Sequence, residues 1–225
     1  MRLLRSPDLV SAPVCTANFG NFLGEGVLNI VFDLGGVVVK WEPKVIIAKV
    51  FADPVVQAKV HEQIIGHADW LALDRGTLPR QDAIVRAAQR TGLSEAEVTR
   101  FLQQVPQELV AIPGTVDLLY RLKAQGHTLY CLSNMHVAFI DHLEKTYTFW
   151  EVFTGAVVSC RLHLCKPEPA IYTYLLETHG LDGADTVFID DTQANLSAAA
   201  QFGIHTIKFE NPAQCESQLR MLGCI

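Results

Sequence analysis

The pattern of apolar and polar positions divides the chain into parts with different periods. Residues 28–32 form a short run in which both faces are apolar, which is typical of a buried strand. From Trp41 to about Val110 the apolar positions recur at helical spacing instead, and Ser94 with Glu97 forms the capping box at which a helix begins. This second part therefore predicts about three to four helices and no strand.

The chain from Pro113 onward alternates between short apolar runs and helical stretches. Strands are predicted at residues 127–132, 153–158, 186–189 and 205–209. Helices are predicted at residues 116–123, 137–143, 166–176 and 194–202. Such alternation is typical of an α/β fold in which a doubly wound parallel sheet is covered by helices on both faces.

These patterns predict one core with an inserted helical unit. Residues 28–40 and 111–225 are predicted to form the α/β core, and residues 41–110 a small all-helical cap inserted after the first strand. Residues 1–27 mix Ser, Pro, Asn and Gly with scattered apolar residues. We expect them to form an extension outside the domain, to which the sequence assigns no chemistry.

Composition and charge exclude several classes of protein. Of the 225 residues, 49% are hydrophobic and 19% are charged, as in a globular protein with one sizeable core. The net charge of -6 argues against a nucleic-acid partner. No apolar segment approaches the ~18–20 residues that span a bilayer, and Pro7 and Asp8 interrupt the start of the chain, so we expect neither a membrane partner nor a signal peptide.

The six cysteines are scattered and include no Cys-x-x-Cys pair. Free thiols in a reducing cytoplasm are the simplest interpretation, although two of them could in principle pair. We therefore expect a cytoplasmic protein. The sequence leaves open whether it is a monomer or a homodimer.

Polar side chains directly follow three of the predicted strands. Asp33 follows the first strand, Ser133 and Asn134 follow the second, and the pair Asp190-Asp191 follows the fourth. Because ligands bind beyond the carboxyl ends of parallel strands, we expect these side chains to converge, with Lys166 in a loop at the same edge. Three acids, a hydroxyl, an amide and a lysine are the groups that metal-assisted phosphoryl transfer requires.

Each of these groups has a role in that chemistry. Crowded carboxylates repel one another unless a cation neutralises them, and Mg²⁺ prefers oxygen ligands. One carboxylate can act as a nucleophile and form an aspartyl-phosphate that water hydrolyses. The lysine, the hydroxyl and backbone amides can stabilise the phosphoryl oxygens. Gly35 and Gly36 allow the backbone to turn sharply and to approach a ligand closely.

In their order along the chain, Asp33, Ser133, Lys166 and Asp190-Asp191 resemble the four motifs of the haloacid dehalogenase superfamily. The resemblance covers nearly all of residues 28–210. The segments that begin at Lys166 (KPEPAIY) and Phe188 (FIDDTQANL) resemble its phosphatase branch with a small helical cap. Within that branch they are similar to glucose-1-phosphatase-like members and to the N-terminal phosphatase domain of soluble epoxide hydrolases.

The resemblance implies a phosphatase with one site for Mg²⁺ and one for the substrate's phosphate. The implied metal ligands are Asp33 (also the nucleophile), the backbone carbonyl of Gly35, Asp191 and, mostly through water, Asp190. The implied phosphate site consists of Ser133, Lys166, Asn134 and Gly36. Asn195 would support the acidic loop. The acidic pair argues against a dehalogenase, since the dehalogenases of the superfamily work without a metal.

Gly35 departs from the pattern of the superfamily. Most of its phosphatases carry a second Asp there as general acid and base, which is typically worth ~10²–10⁴-fold in rate. Glucose-1-phosphatase-like members also carry Gly, and an anomeric phosphate leaves with little protonation. The sequence therefore favours a small phosphorylated metabolite, in particular a sugar phosphate. The alternative is a non-catalytic protein that binds phosphate or a partner.

The helical cap supplies three further candidates for the substrate site. Asp74 can donate the proton that position 35 lacks, and Arg75 can contact the substrate. The same two residues also fit a helix end with a surface ion pair. Trp70 either forms a wall over the substrate or packs inside the cap. His136 and His142 are six residues apart, too far for a metal pair on one helical face, and are predicted to lie at the surface.

Overall fold

The computed structural model describes residues 28–225, and the predicted extension at residues 1–27 lies outside the described residues. Five parallel strands form one sheet in the order β3-β2-β1-β4-β5. The strands are β1 (Asn29–Phe32), β2 (Thr128–Ser133), β3 (Phe153–Val158), β4 (Thr186–Asp190) and β5 (His205–Lys208). All five predicted strands are confirmed to within two residues.

The central strand β1 is buried on both faces, which explains its unbroken apolar run. Ile30 and Phe32 point into one hydrophobic cluster, which also contains side chains of the helices α6 (Pro113–Ala124) and α7 (Val137–Thr146). Val31 points into a second cluster on the opposite face of the sheet. Helices therefore cover both faces of a parallel sheet, and the predicted α/β fold is confirmed.

Residues 41–110 form helices joined by short loops, with no strand among them, and lie between β1 and β2 in the sequence. Their helices are α1 (Pro43–Val50), α2 (Pro54–Val60), α3 (Ala68–Asp74), α4 (Arg80–Thr91) and α5 (Glu95–Glu108), with a π-helical turn at His61–Ile65. The predicted capping box at Ser94 is present. The number of helices exceeds the predicted three to four. We call residues 41–110 the helical insertion.

The other helices are α8 (Ser159–Leu162), α9 (Pro169–His179), α10 (Gln193–Ala200) and α11 (Pro212–Met221), besides α6 and α7. The last of them, α11, has no counterpart among the predicted elements. The five cysteines within residues 28–225 are all buried and free. None of the helices in this part of the chain has the length and apolar character that a membrane span requires.

Candidate active site

The ends of three neighbouring strands bring three of the predicted site residues together. Phe32 of β1 pairs with Cys131 of β2 on one side and with Ile189 of β4 on the other. The residues that follow therefore meet at one edge of the sheet. Carboxylate oxygens of Asp33, Asp190 and Asp191 all lie within 4.8 Å of one another.

Lys166 lies between two of these carboxylates. Its Nζ is 2.9 Å from Oδ1 of Asp33 and 2.7 Å from Oδ2 of Asp190, and its side chain is 1% exposed. The ammonium also donates to the carbonyl of Leu132. Its charge opposes the repulsion between the two acids, and both carboxylates raise the pKa of Lys166 above its ordinary value although burial opposes them. Lys166 therefore stays charged in a buried position.

Asn134 holds the loop that carries Lys166. Its Nδ2 donates to the carbonyl of Lys166, and its Oδ1 accepts from the backbone N–H of the same residue, both at 2.9 Å. These paired bonds fix the loop against the end of β2. Asn134 also lines the cavity above the carboxylates, so it contacts both the loop of Lys166 and the cavity.

Asp190 is completely buried and its two oxygens are occupied. Oδ1 accepts from the backbone N–H of Thr192 at 2.7 Å, Oδ2 accepts from Lys166, and Nδ2 of Asn195 donates to both oxygens. Asp191, the next residue, is exposed. Asp191 is consequently the more accessible of the two acids for a metal ion.

The side chains of Asp33 and Ser133 are both buried, and the hydrogen-bonding capacity of Ser133 is not satisfied within residues 28–225. Burial raises the pKa of Asp33 above its ordinary value, and Lys166 opposes that shift. The hydroxyl of Ser133 is buried and has no hydrogen-bond partner among the described residues, yet it lies close enough to Asp33 to lower its pKa. An unpartnered buried hydroxyl beside a buried carboxylate is a group to which an anion can bind.

Gly36 makes the close approach of Asp191 possible. Its φ is +80°, a conformation that side chains rarely adopt, and a Cβ atom there would lie 2.3 Å from Oδ2 of Asp191. The turn after β1 and the acidic pair after β4 thus fit together only with glycine at position 36.

We expect Gly36→Ala to weaken Mg²⁺ binding ~10–100-fold, the range seen when the support of a metal ligand is lost, because its methyl group displaces the Asp191 carboxylate. Gly92→Ala is the matched control, since Gly92 has a φ of +73° and no atom within 4 Å of its added Cβ. Calorimetric Mg²⁺ titration of both variants separates displacement of Asp191 from backbone strain. Equal Mg²⁺ affinity in the two variants would contradict this account.

The carboxylates open into a cavity of about 210 Å³ that has an aromatic wall. Its apolar lining consists of Trp41, Leu109, Met135, Trp70 and Phe139. The ring centroids of Trp41 and Trp70 are 5.8 Å apart, and those of Trp70 and Phe139 are 6.1 Å apart. Trp70 thus lines the cavity and also packs within the helical insertion.

The structure separates the neighbours Asp74 and Arg75. Asp74 ends α3 and lines the same cavity as Asp33, with 15% of its side chain exposed. Arg75 is not among the residues that line this cavity, and its guanidinium forms a bidentate ion pair with Glu168 of the core. The ion pair expected at this helix end is therefore made by Arg75 alone, between the helical insertion and the core.

His136 was predicted to lie at the surface, and this prediction is wrong. Only 5% of the residue is exposed, and its ring stacks on Phe139 with centroids 4.4 Å apart. Trp70 of the helical insertion covers it at the same centroid distance. The sequence around His136 gives no sign of this burial, since Trp70 is far away along the chain. His142 is partly exposed, and its carbonyl accepts from the Thr146 hydroxyl.

Comparisons with known proteins identify the family. The family model of haloacid dehalogenase-like hydrolases matches residues 28–203. A sesquiterpene phosphatase of Aspergillus oryzae is 27% identical over 195 residues, which cover 86% of this chain and 96% of that protein. Bifunctional epoxide hydrolase 2 of Mus musculus is 37% identical over 67 residues, which are 30% of this chain and 12% of that longer protein.

A solved structure shares the fold. It is a haloacid dehalogenase family enzyme of Bacteroides thetaiotaomicron, in complex with magnesium and inorganic phosphate. The TM-score is 0.67 and the sequence identity is 23%, and the match covers 83% of this chain and 96% of that one.

Proposed function

The chain belongs to the haloacid dehalogenase-like hydrolases, and from that membership we propose that it is a Mg²⁺-dependent phosphatase with Asp33 as its nucleophile. The observation that carries the proposal is the buried Lys166 ammonium between Asp33 and Asp190, with Asp191 beside them. A charged lysine and three carboxylates at one sheet edge suit the transfer of a doubly charged phosphoryl group.

The acidic residues fit a Mg²⁺ ion. Mg²⁺ is bound through carboxylate and carbonyl oxygens, and three carboxylates here approach one another within 4.8 Å. We assign Asp33, Asp191 and the backbone carbonyl of Gly35 as its ligands. Asp190 acts through water, because its own oxygens are already hydrogen-bonded. When bound, the ion supplies positive charge that stabilises the phosphoryl oxygens.

The reaction proceeds in two steps on the chain's own residues. The Asp33 carboxylate attacks phosphorus and forms an aspartyl-phosphate as the leaving group departs, and water then releases phosphate. Lys166 and the unpartnered hydroxyl of Ser133 bind the phosphoryl oxygens. Asn134 keeps Lys166 in position. The backbone N–H of Gly36, which the family resemblance places at the phosphate, donates to the carbonyl of Val39 at 2.8 Å.

The lining of the cavity bears on the substrate class. Sugar hydroxyls need polar partners, and an unpartnered polar group against the aromatic part of the lining costs free energy. Two of the amides near the cavity, on Asn134 and Asn195, are already engaged with Lys166 and Asp190. The aromatic wall instead favours a phosphate monoester with an apolar organic group, which also fits the similarity to a sesquiterpene phosphatase. A sugar phosphate stacked on the tryptophans is the second candidate.

Phosphate release from a substrate panel tests both the activity and the substrate class. The panel contains prenyl phosphates of increasing length, glucose 1-phosphate and other sugar phosphates, each with Mg²⁺ and with EDTA. We expect Mg²⁺-dependent release that is fastest with the prenyl phosphates. Higher kcat/KM for the sugar phosphates would reverse the choice of substrate. No release from any ester, by a folded protein that binds Mg²⁺, would favour the non-catalytic alternative.

The five cysteines of residues 28–225, all buried and free, support a reducing compartment such as the cytoplasm. We propose that the protein is a monomer or a homodimer, and light scattering can distinguish the two.

A further inference from the structure

The proposed reaction lacks a proton donor in the loop after β1, because Gly35 has no side chain. The leaving oxygen must nevertheless take up a proton unless its conjugate acid is strong. Four ionisable residues line the cavity: Asp33, Lys166, Asp191 and Asp74. The first three are already assigned as nucleophile, phosphate ligand and metal ligand. Asp74 is the remaining acid in the cavity lining.

Asp74 is held over the carboxylates by contacts between the helical insertion and the core. The hydroxyl of Ser159 donates to its backbone carbonyl. Next to it, Arg75 pairs with Glu168, and Nδ1 of His163 donates to the carbonyl of Arg75 at 2.9 Å. These contacts place the end of α3 against the core, so that the carboxyl group of Asp74 opens into the cavity that also contains Asp33.

His136 faces Asp74 from the other side. Its Nε2 lies 3.4 Å from Oδ1 of Asp74, and it is a buried nitrogen with no hydrogen-bond partner among the described residues. The ring stacks on Phe139 and packs against the tilted ring of Trp70, with both pairs of centroids 4.4 Å apart. Leaving a buried nitrogen unpaired costs free energy, so packing alone would favour an apolar ring at this position. The imidazole opposite the Asp74 carboxyl group therefore points to a role in hydrogen bonding.

We propose that Asp74 is the general acid and base of this reaction and that His136 is the residue that positions it. The inference rests on the phosphatase activity proposed above. His136, as a neutral imidazole protonated on Nε2, donates to Oδ1 of Asp74 when the site closes on substrate. The second oxygen of Asp74 is then left to exchange a proton with the reacting groups.

The proton balances over the two steps. As the Asp33 carboxylate forms its bond to phosphorus, the bond from phosphorus to the leaving oxygen breaks, and that oxygen takes the proton of the Asp74 carboxyl group. The product alcohol departs and Asp74 is a carboxylate. Water then attacks the aspartyl-phosphate and gives one proton to Asp74, which restores the Asp33 carboxylate and the Asp74 acid and releases phosphate.

The surroundings of the pair keep both members in the required protonation state. Burial, with the charge of Asp33, raises the pKa of Asp74 to about 8, and Lys166 opposes this shift. Burial lowers the pKa of His136 to about 3, an effect that a hydrogen bond to the backbone of Trp70 opposes and the charge of Arg80 reinforces. The thiols of Cys160 and Cys165 also lie near Asp74, and burial raises their pKa values, while the neighbouring Arg75 is paired with Glu168. At neutral pH, Asp74 therefore carries its proton and His136 is uncharged.

The test compares substrates whose leaving groups differ in their need for a proton. Wild type, Asp74→Asn and His136→Phe are assayed on an alkyl phosphate and on p-nitrophenyl phosphate, whose leaving group departs readily as an anion. We expect Asp74→Asn to lower kcat on the alkyl ester ~10²–10⁴-fold and to affect the p-nitrophenyl ester much less. His136→Phe keeps the ring shape and should show a smaller loss with the same dependence on the leaving group.

Two further readouts separate positioning from packing. His136→Gln retains a side-chain N–H and should restore part of the alkyl phosphatase activity lost in His136→Phe. The wild-type kcat/KM on the alkyl ester should fall as pH rises through about 8, and Asp74→Asn should lack that decline. Equal losses on both esters, or an unchanged kcat in Asp74→Asn, overturn the inference alone. A wild type that hydrolyses neither ester overturns the proposed function and this inference with it.

Discussion

Replacing Asp33 by asparagine is expected to reduce phosphate release at least ~10³-fold, since loss of a nucleophile typically costs this much or more. Asparagine has almost the same shape, but its amide cannot form the aspartyl-phosphate. The carboxylate is not needed to keep Lys166 buried, because Asp190 lies 2.7 Å from the same ammonium. The fold should therefore survive while turnover is lost.

The measurement is phosphate release from wild type and Asp33→Asn, with circular dichroism melting of both proteins. Asp117→Asn is the matched control, because Asp117 is an exposed acid on α6 that pairs with Arg121. Asp33→Ala guards against deamidation of the new asparagine. Turnover at the wild-type level in Asp33→Asn would falsify the assignment of the nucleophile.

Replacing Lys166 by methionine should affect both stability and activity. The change removes the cation from between the carboxylates of Asp33 and Asp190, of which Asp190 is completely buried. Breaking a buried ion pair by removing one partner typically costs about 3–5 kcal/mol of the free energy of unfolding. Activity should also fall ~10²–10³-fold, because a charged donor to the phosphoryl oxygens is lost.

The loss of stability in Lys166→Met should depend on pH. Burial already raises the pKa of Asp33, and Lys166 holds it down. Without the lysine, the pKa of this carboxyl rises further. At pH values above the ordinary pKa of an aspartate, the unfolded chain has lost this proton while the folded variant still holds it. The free energy of unfolding of the variant therefore falls as pH rises. The free energy of unfolding of wild type should decline less steeply over the same pH range.

Thermal melting between pH 5 and 8 in EDTA checks this expectation, with Lys123→Met as the control for loss of an exposed lysine. A variant that melts like wild type, with the same pH dependence, would contradict a structural role for the Lys166 charge. Added Mg²⁺ should raise the melting temperature of Lys166→Met, because the ion supplies positive charge to the same carboxylates.

Most of the sheet and of its polar edge follows from local sequence. A strand buried on both faces needs an unbroken apolar run, and Asp33, Ser133 and Asp190 stand where such runs stop. Once the strands are parallel, their carboxyl ends must lie at one edge. The resemblance to a known family added the individual roles, which remain proposals for this chain.

The misses have a common physical cause, since each depends on contacts distant in sequence. His136 is buried because Trp70 of the helical insertion covers its ring. Asp74 and Arg75 are adjacent, but the packing of the insertion sends one to the cavity and the other to Glu168. The last helix, α11, buries only Cys215 and Leu219, too few positions to give a helical pattern.

The ion pair between Arg75 and Glu168 links the position of Asp74 in the helical insertion to the position of Lys166 in the core. Arg75 follows Asp74 directly, and Glu168 is two residues beyond Lys166. Any outward swing of the helical insertion must break this pair and carry Asp74, the proposed proton donor, away from Asp33, while Glu168 loses its partner in the segment that carries Lys166. In the proposed reaction both the formation and the hydrolysis of the aspartyl-phosphate need Asp74 in place, so each step requires this ion pair to be intact.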